Sequence, residues 1–234
     1  MTNERPELIW LHPERSSRGP APAHSRGAIA AAAIALADAE GLAWVSMRKI
    51  AASLGVGTMS LYNYVPKKEQ LFDLMLDAVA GEWELPDAPS GDARADLEGF
   101  ARQGMAAMRR HPWVPLLVLT RTTIGPNSLR RVEYFMAVLA DLDELGGTKM
   151  ELFAMLNGSI CQFAQWEANQ RAAGGTEQWQ AELVTYMSTA VATGDYPNLA
   201  SAMASAVPQD VDADSIFDRG IGRIIDVILG PKGP

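Results

Sequence analysis

The stretch SMRKIAASLGVGTMSLYNYVPKKEQL, Ser46 to Leu71, decides the fold. Ser46 is placed to cap a short helix in which Ile50 and Leu54 fall one turn apart on the buried side. Gly55 ends that helix, and Gly55-Val56-Gly57 makes a tight turn with Val56 as an inward plug. A second short helix is expected over Thr58–Val65, stopped by Pro66, which disfavours helical geometry at the residue before it. Two short helices joined by a Gly-containing turn form a helix-turn-helix.

The same stretch is electrostatically unlike the rest of the chain. The formal charge of the 234 residues is −8, yet Leu42 to Lys68 contains no Asp or Glu while holding Arg48, Lys49, Lys67 and Lys68. Residues 1–80 carry 8 acidic and 8 basic groups, so the net negative charge lies beyond residue 80, where 20 acids face 12 bases. An acidic remainder repels a polyanion, so nucleic-acid contact is expected to be local and near the N-terminus. On the second short helix Leu61 and Val65 face the core, which turns Met59, Ser60 and Asn63 outward and leaves Thr58 and Tyr62 at the margin. Thr, Ser and Asn hydrogen-bond base edges or phosphates, and Met can touch a thymine methyl. Arg48 and Lys68 flank that helix, where carboxylates would repel phosphate.

Outward from this unit the chain reads as all-α. Residues 1–25 are rich in Pro, Ser, Arg and Gly and read as a flexible arm, with Arg15, Arg18 or Arg26 as possible minor-groove side chains. A helix is expected from Arg26 to Glu40, with Ile29, Ala33, Leu36 and Ala37 inward and Gly41 as its stop. A further helix, Lys67 to Ala80, carries Leu71, Leu74, Met75 and Ala78 at helical spacing. The domains are therefore the arm at 1–25, a DNA-binding unit at 26–81 and a helical unit at 94–230. The polar stretch EWELPDAPSGDA (82–93) separates the last two.

In the larger unit, Leu97, Phe100, Ala101, Met105 and Met108 share one stripe, closed by Arg109, Arg110 and His111 at the negative end of the helix dipole. Val132, Phe135, Met136, Leu139 and Leu142 repeat likewise before Gly146-Gly147. Thr148 and Glu151 form a capping-box pattern opening a helix to Arg171, with Leu152, Met155, Leu156, Ile160 and Phe163 inward. A last helix over 215–229 places Phe217, Ile221, Ile224, Ile225 and Ile228 on one face, closed by Gly230-Pro231.

The composition is 48% hydrophobic and 21% charged, enough for a real core. No apolar run approaches the roughly 20 residues that span a bilayer, and the start of the chain lacks a signal peptide's apolar core. With Cys161 as the sole cysteine, no internal disulfide is possible, and a cytoplasmic location is expected. Cys161 itself reads as a small buried apolar residue. No zinc spacing, phosphate-binding Gly loop or Ser–His–acid arrangement appears, so neither catalysis nor a bound metal is expected.

The segments SMRKIAASLGV and TMSLYNYVPKKEQLFDLML, preceded by IALADAEGLAWV, resemble the DNA-binding domain of the TetR family of bacterial transcriptional regulators, over Arg26 to Val79. The resemblance implies that Met47 and Arg48 meet the DNA backbone or an outer base. Thr58, Met59, Ser60 and Asn63 would face the groove, while Tyr62, Tyr64 and Lys68 would hold phosphates. Tyr62 matches the tyrosine most typical of that family's reading helix, and Lys68 its usual lysine. The resemblance also implies a small effector bound between the helices of the larger unit. Candidate lining residues are Phe100, Met105, Met108, Trp113, Leu117, Arg121, Phe135, Leu139, Asn157, Phe163 and Trp166. Arg121, in a loop-like TRTTIGPN, is the cation placed to select an anionic group. The founding tetracycline sensors hold a drug–metal chelate through a histidine of this domain. No histidine follows His111 here, so neither that ligand nor a metal is expected, and the effector is expected to be apolar or weakly anionic.

The expected function is a ligand-responsive, one-component regulator, usually a repressor in that family. It would bind a palindromic double-stranded DNA operator as a homodimer and be released by its effector. The alternative is a helical small-molecule-binding protein with an inert DNA head. Dimerisation is expected through the helices at 149–171 and 215–229, where Gly158, Ser159, Gly220 and Gly222 permit close approach.

Overall fold

The computed structural model describes residues 8–12, 25–121, 124–172, 177–205 and 212–230, and among them every regular element is helical. Helix α1 (Arg26–Glu40) starts on Ser25, whose hydroxyl accepts from the Ala28 N–H at 3.1 Å, and stops at Gly41, φ 94°. Helix α2 (Met47–Ser53) is capped by Ser46, which accepts from the Lys49 N–H at 3.3 Å. Its end is closed by Gly55 at φ 68°, which lets the Val56 N–H reach the Ala51 carbonyl at 3.0 Å. That bond satisfies a terminal carbonyl and turns the chain into α3.

Helix α3 (Thr58–Tyr62) is three residues shorter than expected. Its hydrogen bonding nonetheless continues, since the Val65 N–H donates to the Leu61 carbonyl at 2.9 Å before Pro66 ends the turn. Helix α4 (Lys68–Ala80) begins one residue later than read from the sequence, because Lys67 is the extended cap residue. Leu61, Val65, Leu71 and Met75 are fully buried, so the inward faces of α3 and α4 are those the periodicity indicated.

Seven helices follow: α5 (Ala93–Arg110), α6 (Val114–Thr120), α7 (Pro126–Val138), α8 (Gly146–Ala172), α9 (Glu177–Ala192), α10 (Pro197–Ala204) and α11 (Ala213–Leu229). α5, α8 and α11 pack on one another, α6 lies on α8, and α4 touches both α6 and α7. α7 ends at Val138, so Leu142 sits in a turn and Gly146-Gly147 belong to the first turn of α8. The Lys149 N–H donates to the Leu145 carbonyl at 3.1 Å, so Thr148 is already inside the helix and does not cap it. Met155, expected inward, is 37% exposed, because the inward stripe of α8 runs through Leu156 and Ile160.

The apolar core is one continuous cluster reaching from Ile9 to Ile228, and it includes residues of the 82–93 stretch. Trp83, expected in a polar break, is buried with its ring edge-on to Phe100 at 4.9 Å. Within the arm, Ile9–Leu11 form a 3-10 turn with Ile9 buried, in place of a flexible chain. Arg26 anchors that turn, donating to the carbonyls of Ile9 and His12 and, through Nε, to that of Tyr64. It is therefore a structural clamp and not a minor-groove side chain. Arg15 and Arg18 lie outside the described residues.

Candidate nucleic-acid interface and effector cavity

The first site is the outer face of α3. With Leu61 buried, Met59 stands 76% exposed, Tyr62 is 41% exposed, and Ser60 and Asn63 are exposed beside them. Thr58 and Tyr64 are half-buried, at the margin of this face. Arg48 is exposed near the start of α2 and Lys68 at the start of α4, with its ammonium 5.3 Å from the Phe72 ring. Lys49 turns elsewhere, paired with Glu40 at 2.6 Å and lying 4.5 Å over the Trp44 ring. Met47 corrects the reading from the sequence: its side chain is 6% exposed and packs into the core of the unit, so it presents no side chain to DNA. The remaining eight residues are all exposed or half-buried, and none of them is a carboxylate.

The second site is a cavity of about 120 Å³ where α4, α5, α6, α7 and α8 meet. Leu76, Val79 and Ala80 come from α4, Val114 and Val118 from α6, and Phe153 and Asn157 from α8. Of the eleven residues expected to line it, Met108, Arg121 and Asn157 do. Phe100, Met105, Leu117, Phe135 and Leu139 are consumed as core. Trp113 donates through Nε1 to Asp38 at 2.7 Å, Phe163 packs edge-on to Phe217, and Trp166 is 39% exposed on the outer face of α8. A helical stripe marks which side chains turn inward, and most inward positions face other helices instead of a void.

Among the many lining residues that sequence reasoning missed, Arg131 and Trp83 stand in direct contact with each other. The Arg131 guanidinium stacks 3.6 Å from the Trp83 ring centroid and donates from Nη2 to Asn157 Oδ1 at 3.0 Å. Burial pushes its pKa down to about 10, opposed by the nearby Cys161 and Asp77, so it stays cationic at neutral pH. Cys161 is fully buried and its thiol is pushed up to about 11, chiefly by burial, which keeps it protonated. Only the cation at position 131 of an amphipathic pattern hinted at this, since a charge that low on the inward side needs a reason.

Between the two sites lie three polar clamps. Asp38 of α1 accepts from His111 Nδ1 at 2.9 Å and from the Trp113 indole; Glu82 meets His111 Nε2 at 3.1 Å. Both ring nitrogens thus face carboxylates, a role beyond ending α5. Asp73 of α4 pairs with Arg121 at 3.0 Å, and Arg121 also donates to the Glu69 carbonyl at 3.0 Å. Arg121 therefore already has an anionic partner within the chain. Asp77 of α4 accepts from the N–H groups of Ser128 at 2.9 Å and Asn127 at 3.3 Å, capping α7 from another helix.

Residues 85–229 match the family described as Tetracyclin repressor-like, C-terminal domain, and residues 29–75 match Bacterial regulatory proteins, tetR family. The chain belongs to the TetR family. The HTH-type transcriptional repressor DrrR1 of Streptomyces coeruleorubidus is 37% identical over 227 residues, covering 94% of this chain and 83% of that protein. An HTH-type transcriptional regulator of Saccharopolyspora erythraea is 33% identical over 236 residues, covering 97% and 94%. Among solved structures, apo ActR of Streptomyces coelicolor superposes with a TM-score of 0.76 at 24% identity, over 89% of this chain and 96% of that one. ActR in complex with actinorhodin gives 0.75 at 27% identity, over 89% and 98%. The relatives are named as transcriptional regulators, and this TetR-family chain is a DNA-binding transcriptional regulator. Among the described residues no helix is long and apolar enough to cross a membrane.

Proposed function

We propose that this TetR-family regulator binds a palindromic operator as a homodimer, represses from it, and is released when a small molecule enters the cavity beside α4. The observation that carries the DNA half is the carboxylate-free outer face of α3, flanked by Arg48 and Lys68. Thr58, Met59, Ser60 and Asn63 read base edges, while Tyr62, Tyr64, Arg48 and Lys68 hold phosphates. Repression follows the naming of the DrrR1 relative, and effector binding follows ActR, solved with actinorhodin.

Helix α4 supports the release step. One side of it lines the cavity with Leu76, Val79 and Ala80, while Asp73 and Asp77 tie it to Arg121 and to α7. An effector that fits the cavity better in the DNA-incompetent conformer shifts the population toward it.

The two-fold contact is assigned to α8 and α11, with a change from the sequence reading. Phe217, Ile221, Ile225 and Ile228 of α11 are buried within the subunit, and Gly220 is filled against Phe163 of the same chain. What remains for a partner is the outer face: Met155, Gly158 and Trp166 on α8, and Gly222 and Val227 on α11. The α9–α10 hairpin also carries exposed Trp179, Val184 and Tyr186.

Selection of bound sequences from random DNA with the full chain tests this reading. An enriched inverted repeat, bound less tightly as salt rises, is the expected result. Salt-independent binding, or no enrichment from a folded protein that still binds small molecules, would instead support the inert-head alternative.

A further inference from the structure

We infer that the cavity beside α4 selects an effector bearing an anionic group on an aromatic frame, and that Arg131 is the residue that selects it. The inference rests on the reading of that cavity as the effector site. Among the described residues its walls carry two arginines and no carboxylate. Arg121 is paired with Asp73 and donates to the Glu69 carbonyl, with its Nε left enclosed, whereas Arg131 forms no ion pair among the described residues. Its Nη2 donates to Asn157 and its Nε is enclosed without a partner, while the residue itself lines the cavity.

Among the described residues Asp77 and Cys161 are the acidic groups that act on this charge, and neither is ion-paired with it. The Asp77 carboxylate acts on it without touching it, since its oxygens are engaged by the Asn127 and Ser128 donors at the start of α7. Cys161, the other acidic neighbour, remains a thiol because it is buried. A cation held away from water without an ion pair is unfavourable, and the cavity that Arg131 lines is a space from which a counter-ion can reach it. Trp83 and Phe100 stack or lie near the guanidinium, at 3.6 and 5.6 Å, which orients the fork and stabilises it only in part. An incoming carboxylate or phenolate would meet a planar donor already held in place. The rest of the wall, with Trp83, Phe153, Met108, Val118 and Ile124, suits a ring system behind that group.

The test compares benzoate with its neutral isostere benzamide, by calorimetric titration of the full chain at neutral pH. The carboxylate is expected to bind about tenfold or more tightly than the amide. Arg131→Lys should keep that preference, and Arg131→Met should abolish it. Equal binding of the two compounds by the unmodified protein, or none of benzoate at millimolar concentration, overturns the anion inference, and this comparison needs no variant to fold. Val118→Trp fills the cavity and should remove binding of both compounds. If benzoate still binds that variant, the site itself has been misplaced, a different failure from loss of the charge preference.

Discussion

Asp77 shows how one side chain joins the two halves of the molecule. It lies on α4, is buried, and its carboxylate takes the place of an N-cap for α7, a helix some fifty residues away in sequence. Replacing it with Ala leaves the Ser128 and Asn127 donors buried without an acceptor. Asp77→Ala is expected to lower stability by about 1–3 kcal/mol in urea titration. A loss below a few tenths would show that water replaces the carboxylate. On the DNA face the residue-scale expectation separates holding from reading. Lys68→Ala should weaken operator and scrambled DNA alike and reduce the log–log salt slope by about 0.9 per subunit. Asn63→Ala should instead change which base is preferred, by about 1–3 kcal/mol of discrimination. The reverse pattern, measured in titrations at several salt concentrations, would reassign the reading face.

At the scale of elements, the helix-turn-helix stands on local chemistry. α2 has only seven residues, too few to be stable alone, so its cap matters more than in a long helix. Ser46→Ala removes the acceptor for the Lys49 N–H and should cost about 0.5–2 kcal/mol, read as a lower urea midpoint with an unchanged m-value. Between elements, Gly104 of α5 is the seat of Trp83: a Cβ there would stand 2.7 Å from the indole. Gly104→Ala must push Trp83 outward, disturbing the ring on which Arg131 lies, and is expected to destabilise by about 1–3 kcal/mol. Unaltered stability in far-UV circular dichroism melts would mean that Trp83 moves without penalty.

For the whole molecule, the proposed dimer places a second subunit on the outer face of α8 and α11. Trp166→Asp on this face should shift the protein to monomer in sedimentation while the helical signal stays native. A variant that remains dimeric places the contact elsewhere, with the α9–α10 hairpin as the next surface to alter. Effector binding is a global property as well. Linkage gives about 2.7 kcal/mol of added stability at a hundredfold excess over the dissociation constant, seen as a raised melting temperature.

The all-α class, the two short helices and the outward set Met59, Ser60 and Asn63 were determined by the sequence itself. Each rests on interactions within a few residues: Ser46 with Lys49, Gly55 freeing Val56, Pro66 ending the turn, Leu61 and Val65 one turn apart. Even there Met47 escaped, because a position beside a cap gives no sign of whether its side chain turns out to DNA or in toward the core. The cavity was legible only in fragments, as Met108, Arg121 and Asn157. Helical spacing says which residues point inward but not where helices leave a gap. Trp83 looked like part of a polar linker until Gly104 supplied a seat for it, and Arg131 has its place from Trp83 and Asn157, which close around it. Those contacts join α7, α8 and the stretch before α5, residues far apart in the chain. Only tertiary packing decides which of them meet, because the free energy that places them comes from burying surfaces of several helices at once.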